Sequence, residues 1–270
     1  LFKKHLLDEG IKNDHILIID LEDRKYKEFR NPDYLLDWID EQMHDDGQYY
    51  IIIDEVQRVD EFVDMLGSLV VKDNADVYVT GSNSKMLSKD LVTNFRDRGS
   101  EIKVYPLSFK EYYPISGLEK ADALEEYLTY GGMPLAVLEK DEVEKRKYLK
   151  GLHKRVYIKD IVERYKLKDD EVLEALIDAL YSAVGSLSNP HNMANAAGSL
   201  MKRSTSDHTI KNYLDYLEDA YLFASAKRYD IKGKRYFENI QKSYAMDTGL
   251  RNAKLNFRQQ EKSHLMENMI

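Results

Sequence analysis

Two adjacent acids, Asp54 and Glu55, follow the apolar run Tyr49-Tyr50-Ile51-Ile52-Ile53 and are the residues of this chain best placed to do chemistry. A run of that kind reads as a buried strand, and a carboxylate pair at a strand's carboxyl end sits where open α/β sheets bind their ligands. The first acid would hold Mg²⁺ through water. The second would orient or deprotonate a water that attacks a terminal phosphate. A core strand capped by two solvated acids looks the same locally, so the neighbouring elements decide between the readings.

The next apolar run, Asp76-Val77-Tyr78-Val79-Thr80, ends in Gly81-Ser82-Asn83-Ser84, and its end lies 26 residues after Asp54 (80 − 54). Two strand ends in that order match a Walker B strand followed by a sensor strand. Thr80 would then stand beside the nucleotide, and Asn83, then Ser82, are the candidates for a hydrogen-bond donor to the γ-phosphate or the attacking water. Ordinary turn chemistry explains Thr-Gly-Ser-Asn equally well when it is taken alone. Further along, in the stretch Asn94–Phe109, Arg98 stands just before an expected strand at the edge of the module and is a candidate arginine finger for a neighbouring subunit. Local pairing of Arg98 with Asp97 or Glu101 is the plainer alternative.

These residues need a scaffold of alternating strands and helices. Ile16–Asp20 reads as a strand, Tyr34–Ile39 continues into a helix, and Phe62, Met65, Leu66 and Leu69 mark a crossover helix over residues 60–71. Strands separated by helices predict a parallel sheet. A phosphate-cradling loop requires Gly-x4-Gly-Lys-Ser/Thr, whereas the chain's one Gly-Lys pair, Gly233-Lys234, is followed by Arg235. The opening Leu1-Phe2-Lys3-Lys4-His5-Leu6-Leu7 has the spacing of a helix already under way, so the expectation is that the first strand, the loop and the start of that helix precede Leu1.

With 270 residues and 43% hydrophobic content, the chain reads as folded throughout and as more than one domain. It has no cysteine, which excludes disulfides and thiolate chemistry and suits a cytoplasmic setting. The longest apolar run is far short of the roughly 20 residues of a membrane span. The histidines are scattered, and no zinc-ligand spacing stands out. Net charge is −8, but residues 201–270 carry 13 Lys/Arg against 9 Asp/Glu, so they are +4 and the first 200 residues are −12. Any contact with nucleic acid belongs near the C-terminal end.

The series Ile52–Gln57, Thr80–Ser84, Arg98-Gly99 through Tyr112, Tyr130-Gly131-Gly132-Met133-Pro134, Lys159–Tyr165, Asn212–Leu222 and Asp247–Asn252 resembles a prokaryotic AAA-type ATPase family whose C-terminal half is a region of unknown function. The resemblance runs nearly end to end. It implies an AAA-type core (1–112) without its Walker A loop, a helical lid or linker (113–185), a winged helix (186–255), and the start of a nuclease-like domain (256–270). It also implies ATP and Mg²⁺ as cofactors.

The winged-helix region has support in the residues themselves. Ser206 or Asp207 can cap a helix whose buried stripe is Ile210, Tyr213, Leu214, Leu217 and Tyr221, leaving His208, Thr209, Lys211 and Asn212 to meet a major groove. A hairpin with the basic tip Lys232, Lys234 and Arg235 would meet phosphates. Asp215, Glu218 and Asp219 on the same helix keep open a winged helix that pairs proteins. The expected function is an ATP-hydrolysing switch or motor, a homo-oligomer acting on double-stranded DNA and not on membranes. The alternative is a non-catalytic DNA- or protein-binding module on an ATPase-like scaffold.

Overall fold

The computed structural model describes residues 1–81, 95, 99–167, 170–201, 206–227, 241–258 and 262–269. They fall into two compact units, Leu1–Ile102 and Lys103–Ile270.

In the first unit β1 (Ile16–Asp20), β2 (Tyr49–Asp54) and β3 (Ala75–Val79) form a parallel sheet in that order. Helix α1 (Phe2–Asp8) precedes β1, α2 (Pro32–Gln42) links β1 to β2, and α3 (Phe62–Val70) links β2 to β3. The start of α2 is written locally. Asn31 accepts the Tyr34 N–H at 3.1 Å, and Pro32 fills a first-turn position whose N–H would have no helical partner. The register Ile16↔Tyr50 to Asp20↔Asp54, with Ile53↔Val79 beyond it, brings all three carboxyl ends level.

Leu17, Ile19, Ile51 and Ile53 point to one face and pack on Leu35 and Ile39 of α2 and Met65, Leu66 and Leu69 of α3. The burial expected on both faces of a parallel sheet is complete only there. Tyr50 and Ile52 are half-buried and Ile18 is exposed. The contacts described on that second face come from α1, whose Phe2 ring lies 4.7 Å from Tyr78 and 6.4 Å from Tyr50. The edge strand expected near Glu101 does not form among the described residues. No neighbouring strand pairs with the segment, and Ile102 and Val104 remain 81% and 86% exposed.

The second unit runs α4 (Phe109–Ser116), α5 (Lys120–Tyr130), α6 (Pro134–Leu138), α7 (Glu142–Gly151), α8 (Lys159–Arg164), α9 (Glu171–Ser182), β4 (Leu187–Ser188), α10 (Pro190–Met201), α11 (Asp207–Asp219), β5 (Phe223–Lys227), β6 (Gln241–Ala245), α12 (Thr248–Lys254) and α13 (Lys262–Met269). Its strands are antiparallel in the order β4-β6-β5. Val172, Leu173, Leu176, Ile177, Leu180 and Tyr181 on α9 enter one core with Ile210, Tyr213, Leu214 and Leu217 of the stripe expected on α11, whereas Tyr221 lies beyond the helix end and is half-buried.

Candidate nucleotide site

The parallel sheet brings Asp54, Glu55 and Thr80 together at its carboxyl edge. Thr80 is the bracket. Its Oγ1 donates to Asp54 Oδ1 and accepts the Glu55 N–H at 3.1 Å, while its carbonyl accepts the Val56 N–H at 2.9 Å. One short side chain therefore ties the ends of two strands together, holding the Asp54 carboxylate and the Glu55 main chain. Glu55 has φ +57° and ψ +46°, in the left-handed region that a side chain with Cβ rarely adopts. The turn lifts its carboxylate off the strand axis, and Gln57 Nε2 donates to Glu55 Oε2 to hold it. Strain of this kind collects at functional sites.

The sequence reading did not give Gln57 a role. Its signal is its place two residues beyond the second acid, on the turn that leaves the strand. The same reading missed Asp20, which ends β1 opposite Asp54 and accepts the Glu22 N–H at 2.9 Å, and Arg58, whose Nη2 lies 3.1 Å from Glu22 Oε1. A guanidinium thus stands among the turns at the same edge. Asp54 and Glu55 are half-buried and Thr80 is exposed, so the edge is open to a ligand and to water. The donor set is all oxygen and solvent-accessible, which suits Mg²⁺, an ion that keeps several of its waters. Ser82, Asn83 and Arg98 lie outside the described residues.

In the second unit the four candidates on α11 share its N-terminal end. Ser206 caps the helix by accepting the Thr209 N–H at 3.1 Å, and its hydroxyl lies 2.8 Å from Thr209 Oγ1. His208 and Lys211 are exposed, and Asn212 Nδ2 lies 3.4 Å from His208 Nδ1. Exposed Asp207 and Asp215 flank Lys211 at one helical turn on either side, so this face carries both signs. Lys232, Lys234 and Arg235 lie outside the described residues.

Two sequence motifs of the second unit meet in a buried knot. Asp247, just after β6, accepts the Gly132 N–H at 2.7 Å and caps α12 through the Leu250 N–H at 2.8 Å. Burial pushes its carboxyl up to about 6, against the pull of backbone N–H groups from Gly132, Leu250, Gly249 and Met133. A Cβ on Gly131 would run into this carboxylate, and one on Gly132 into the Leu107 carbonyl. Arg251 Nε donates to the Tyr181 carbonyl at 2.9 Å, and Asn252 Nδ2 to those of Leu128 and Thr129 at 2.9 Å each. These residues tie α5, α9 and α12 together and leave no open edge for chemistry.

Residues 1–113 match a family model described as an AAA domain, and residues 121–261 match a domain of unknown function (DUF8612). An uncharacterised protein of Haemophilus influenzae is 34% identical over 275 residues, an alignment covering 100% of this chain and 68% of that protein. The chain belongs to an AAA-type P-loop family. An uncharacterised protein of Methanocaldococcus jannaschii is 30% identical over 234 residues, 82% of this chain and 51% of its own length. The AAA-type chain therefore spans about two thirds of one curated relative and half of the other. Among solved structures, the Aeropyrum pernix ORC1 protein in complex with DNA overlaps 89% of this chain and 77% of its own at 12% identity and a TM-score of 0.31, and at that score the likeness carries no argument. No helix among the described residues is long and apolar enough to cross a membrane.

Proposed function

We propose that this chain belongs to an ATP-hydrolysing switch or motor in which the carboxyl edge of the parallel sheet is the Walker B and sensor side of the nucleotide site. The observation that carries this reading is the bracket of Thr80 on the Asp54 carboxylate and the Glu55 backbone, with Gln57 on the Glu55 carboxylate, so that both acids at one strand end are held by neighbours. Asp54 would hold Mg²⁺ through water, and bound Mg²⁺ would neutralise phosphate charge. Glu55, turned outward and steadied by Gln57, orients the attacking water. Asn83, with Ser82 behind it, supplies the sensor contact, and Arg98 reaches a neighbouring subunit of a homo-oligomer. The phosphate-cradling loop is not in residues 1–270, so the reading requires it from a longer protein.

The order helix, strand, helix, helix, strand, strand from α9 to β6 supports a winged helix, with α11 in the recognition position and Lys232, Lys234 and Arg235 on the wing. The nucleotide state would then govern how this domain grips DNA. The mixed charge around Lys211 favours a second reading, a winged helix that pairs with protein.

The decisive variant is Glu55→Gln in protein carrying the Gly-Lys-Ser/Thr loop. Turnover of MgATP should fall by roughly two to three orders of magnitude with nucleotide affinity retained, because the water-orienting carboxylate is lost and the phosphate contacts are not. Turnover within twofold of the parent would sink the assignment.

A further inference from the structure

At the opposite, amino end of the same sheet, two histidines and an aspartate converge. His15 ends the turn that enters β1, His44 lies in the connection between α2 and β2, and Asp14 precedes His15. One ligand atom from each of Asp14, His15 and His44 lies within 4.8 Å of the others. β2 separates them from Asp54 by its own length of about 3.3 Å per residue over six residues, so this cluster is not part of the nucleotide site.

The tautomers follow from the hydrogen bonds. His15 Nδ1 lies 3.1 Å from the Gln48 carbonyl and His44 Nδ1 lies 2.9 Å from the Gln42 carbonyl. A carbonyl only accepts, so each Nδ1 carries the proton. That leaves Nε2 of each ring as the nitrogen that can bind a metal. A histidine whose Nδ1–H is fixed by a backbone carbonyl while Nε2 is free is set up as a metal ligand.

His15 supplies an independent sign. It is only 5% exposed, and its Nε2 is fully buried with no hydrogen-bond partner. The atom faces Asp45 Oδ2 at 3.3 Å, so the lone pair and the carboxylate oxygen are reconciled either by a proton on Nε2 or by a metal ion beside it. The ring cannot easily turn away. It stacks on Tyr49 at 4.2 Å between centroids, and a Cβ on Gly47 would strike it. His44 Nε2 and Asp14 Oδ2 lie 3.7 Å apart and are both largely exposed. Tetrahedral zinc with bonds of about 2.0–2.1 Å separates its ligand atoms by about 3.3 Å, so small rotations of His44 and Asp14 close the set around a fixed His15.

We propose that Asp14, His15 and His44 bind one divalent transition-metal ion of the zinc class, with water in the fourth position. Two imidazole nitrogens and a carboxylate oxygen suit such an ion and disfavour Mg²⁺ or Ca²⁺. Asp45 remains outside this set, since Lys12 Nζ at 3.4 Å and the Gly47 N–H at 2.8 Å already engage it. The ion would clamp the connection before β2 to the turn before β1, fixing the amino edge of the sheet.

The test is a zinc titration of the tag-free chain against a chromophoric chelator, with thermal melting read in parallel. One zinc per chain, a dissociation constant at or below about 1 µM and a rise in melting temperature are expected, with no competition from millimolar Mg²⁺. His44→Ala and Asp14→Ala replace exposed side chains and preserve the fold, and each should weaken binding at least tenfold and remove the thermal shift. His5→Ala, an exposed histidine elsewhere, should change nothing. Uptake unaffected by His44→Ala, or no uptake at 100 µM zinc, would overturn the site. Neither readout involves ATP, so failure here leaves the nucleotide reading untouched.

Discussion

Asp54 and Asp247 both lie at or just after the end of a short strand, and both fall in motifs that stand out in the sequence, yet the fold gives them opposite surroundings. Asp54 is half-exposed, held by one hydroxyl and open to a ligand. Asp247 is 5% exposed and surrounded by backbone N–H donors from two distant segments. The difference is one of satisfaction. A buried carboxylate whose acceptor capacity is filled by the main chain stabilises architecture, whereas one left with capacity at a strand's carboxyl end can still recruit a cation or a water.

The sharpest way to break this contrast is to remove the buried acid. Asp247→Ala strands several buried N–H groups, each costing about 1–3 kcal/mol, so the second unit should lose roughly 3–5 kcal/mol in chemical denaturation. A loss below about 1 kcal/mol would show that Asp247 is no more structural than Asp54.

The next effect is on pH. The folded-state carboxyl of Asp247 lies near 6, above its ordinary value of 3.8, so the folded protein holds that proton more tightly than the unfolded chain. Its contribution is therefore full below about 3.8 and is lost as pH rises through 6, by at most roughly 3 kcal/mol. The parent-minus-Asp247→Asn difference in unfolding free energy should shrink toward the parent's disadvantage between pH 4 and 6. A flat difference across that window would mean the N–H donors outweigh burial.

A smaller effect is expected at the proposed wing, if it contacts DNA. Replacing Lys232, Lys234 and Arg235 with alanine should weaken DNA binding at every sequence and reduce the log–log salt slope by about one per lost phosphate contact. Binding that ignores both changes favours the protein-pairing reading.

Strands and crossover helices of the first unit were legible because their signals are local. The apolar runs Ile16–Asp20 and Tyr49–Ile53 announce β1 and β2, and the stripe Phe62, Met65, Leu66 and Leu69 announces α3. The Asp54, Glu55 and Thr80 cluster was legible because parallel pairing brings strand ends together regardless of the residues between. The link from Gly132 to Asp247 was not, since 115 residues separate the partners and no periodicity joins them. The sequence likewise showed no zinc spacing. Asp14-His15 and His44 are separated by β1 and α2, and only the sheet aligns the turn before β1 with the connection before β2. The strand expected near Glu101 failed for the complementary reason, because apolar alternation supplies no partner.

The most direct test compares Asp54→Asn with Asp247→Asn by thermal melting, with and without MgATP, in protein carrying the Gly-Lys-Ser/Thr loop. The account predicts that Asp54→Asn melts within about 2 °C of the parent without nucleotide and loses most of the MgATP-dependent rise, whereas Asp247→Asn melts several degrees lower in both conditions and keeps that rise. An Asp54→Asn protein that melts as low as Asp247→Asn, or that keeps the full MgATP shift, would contradict it.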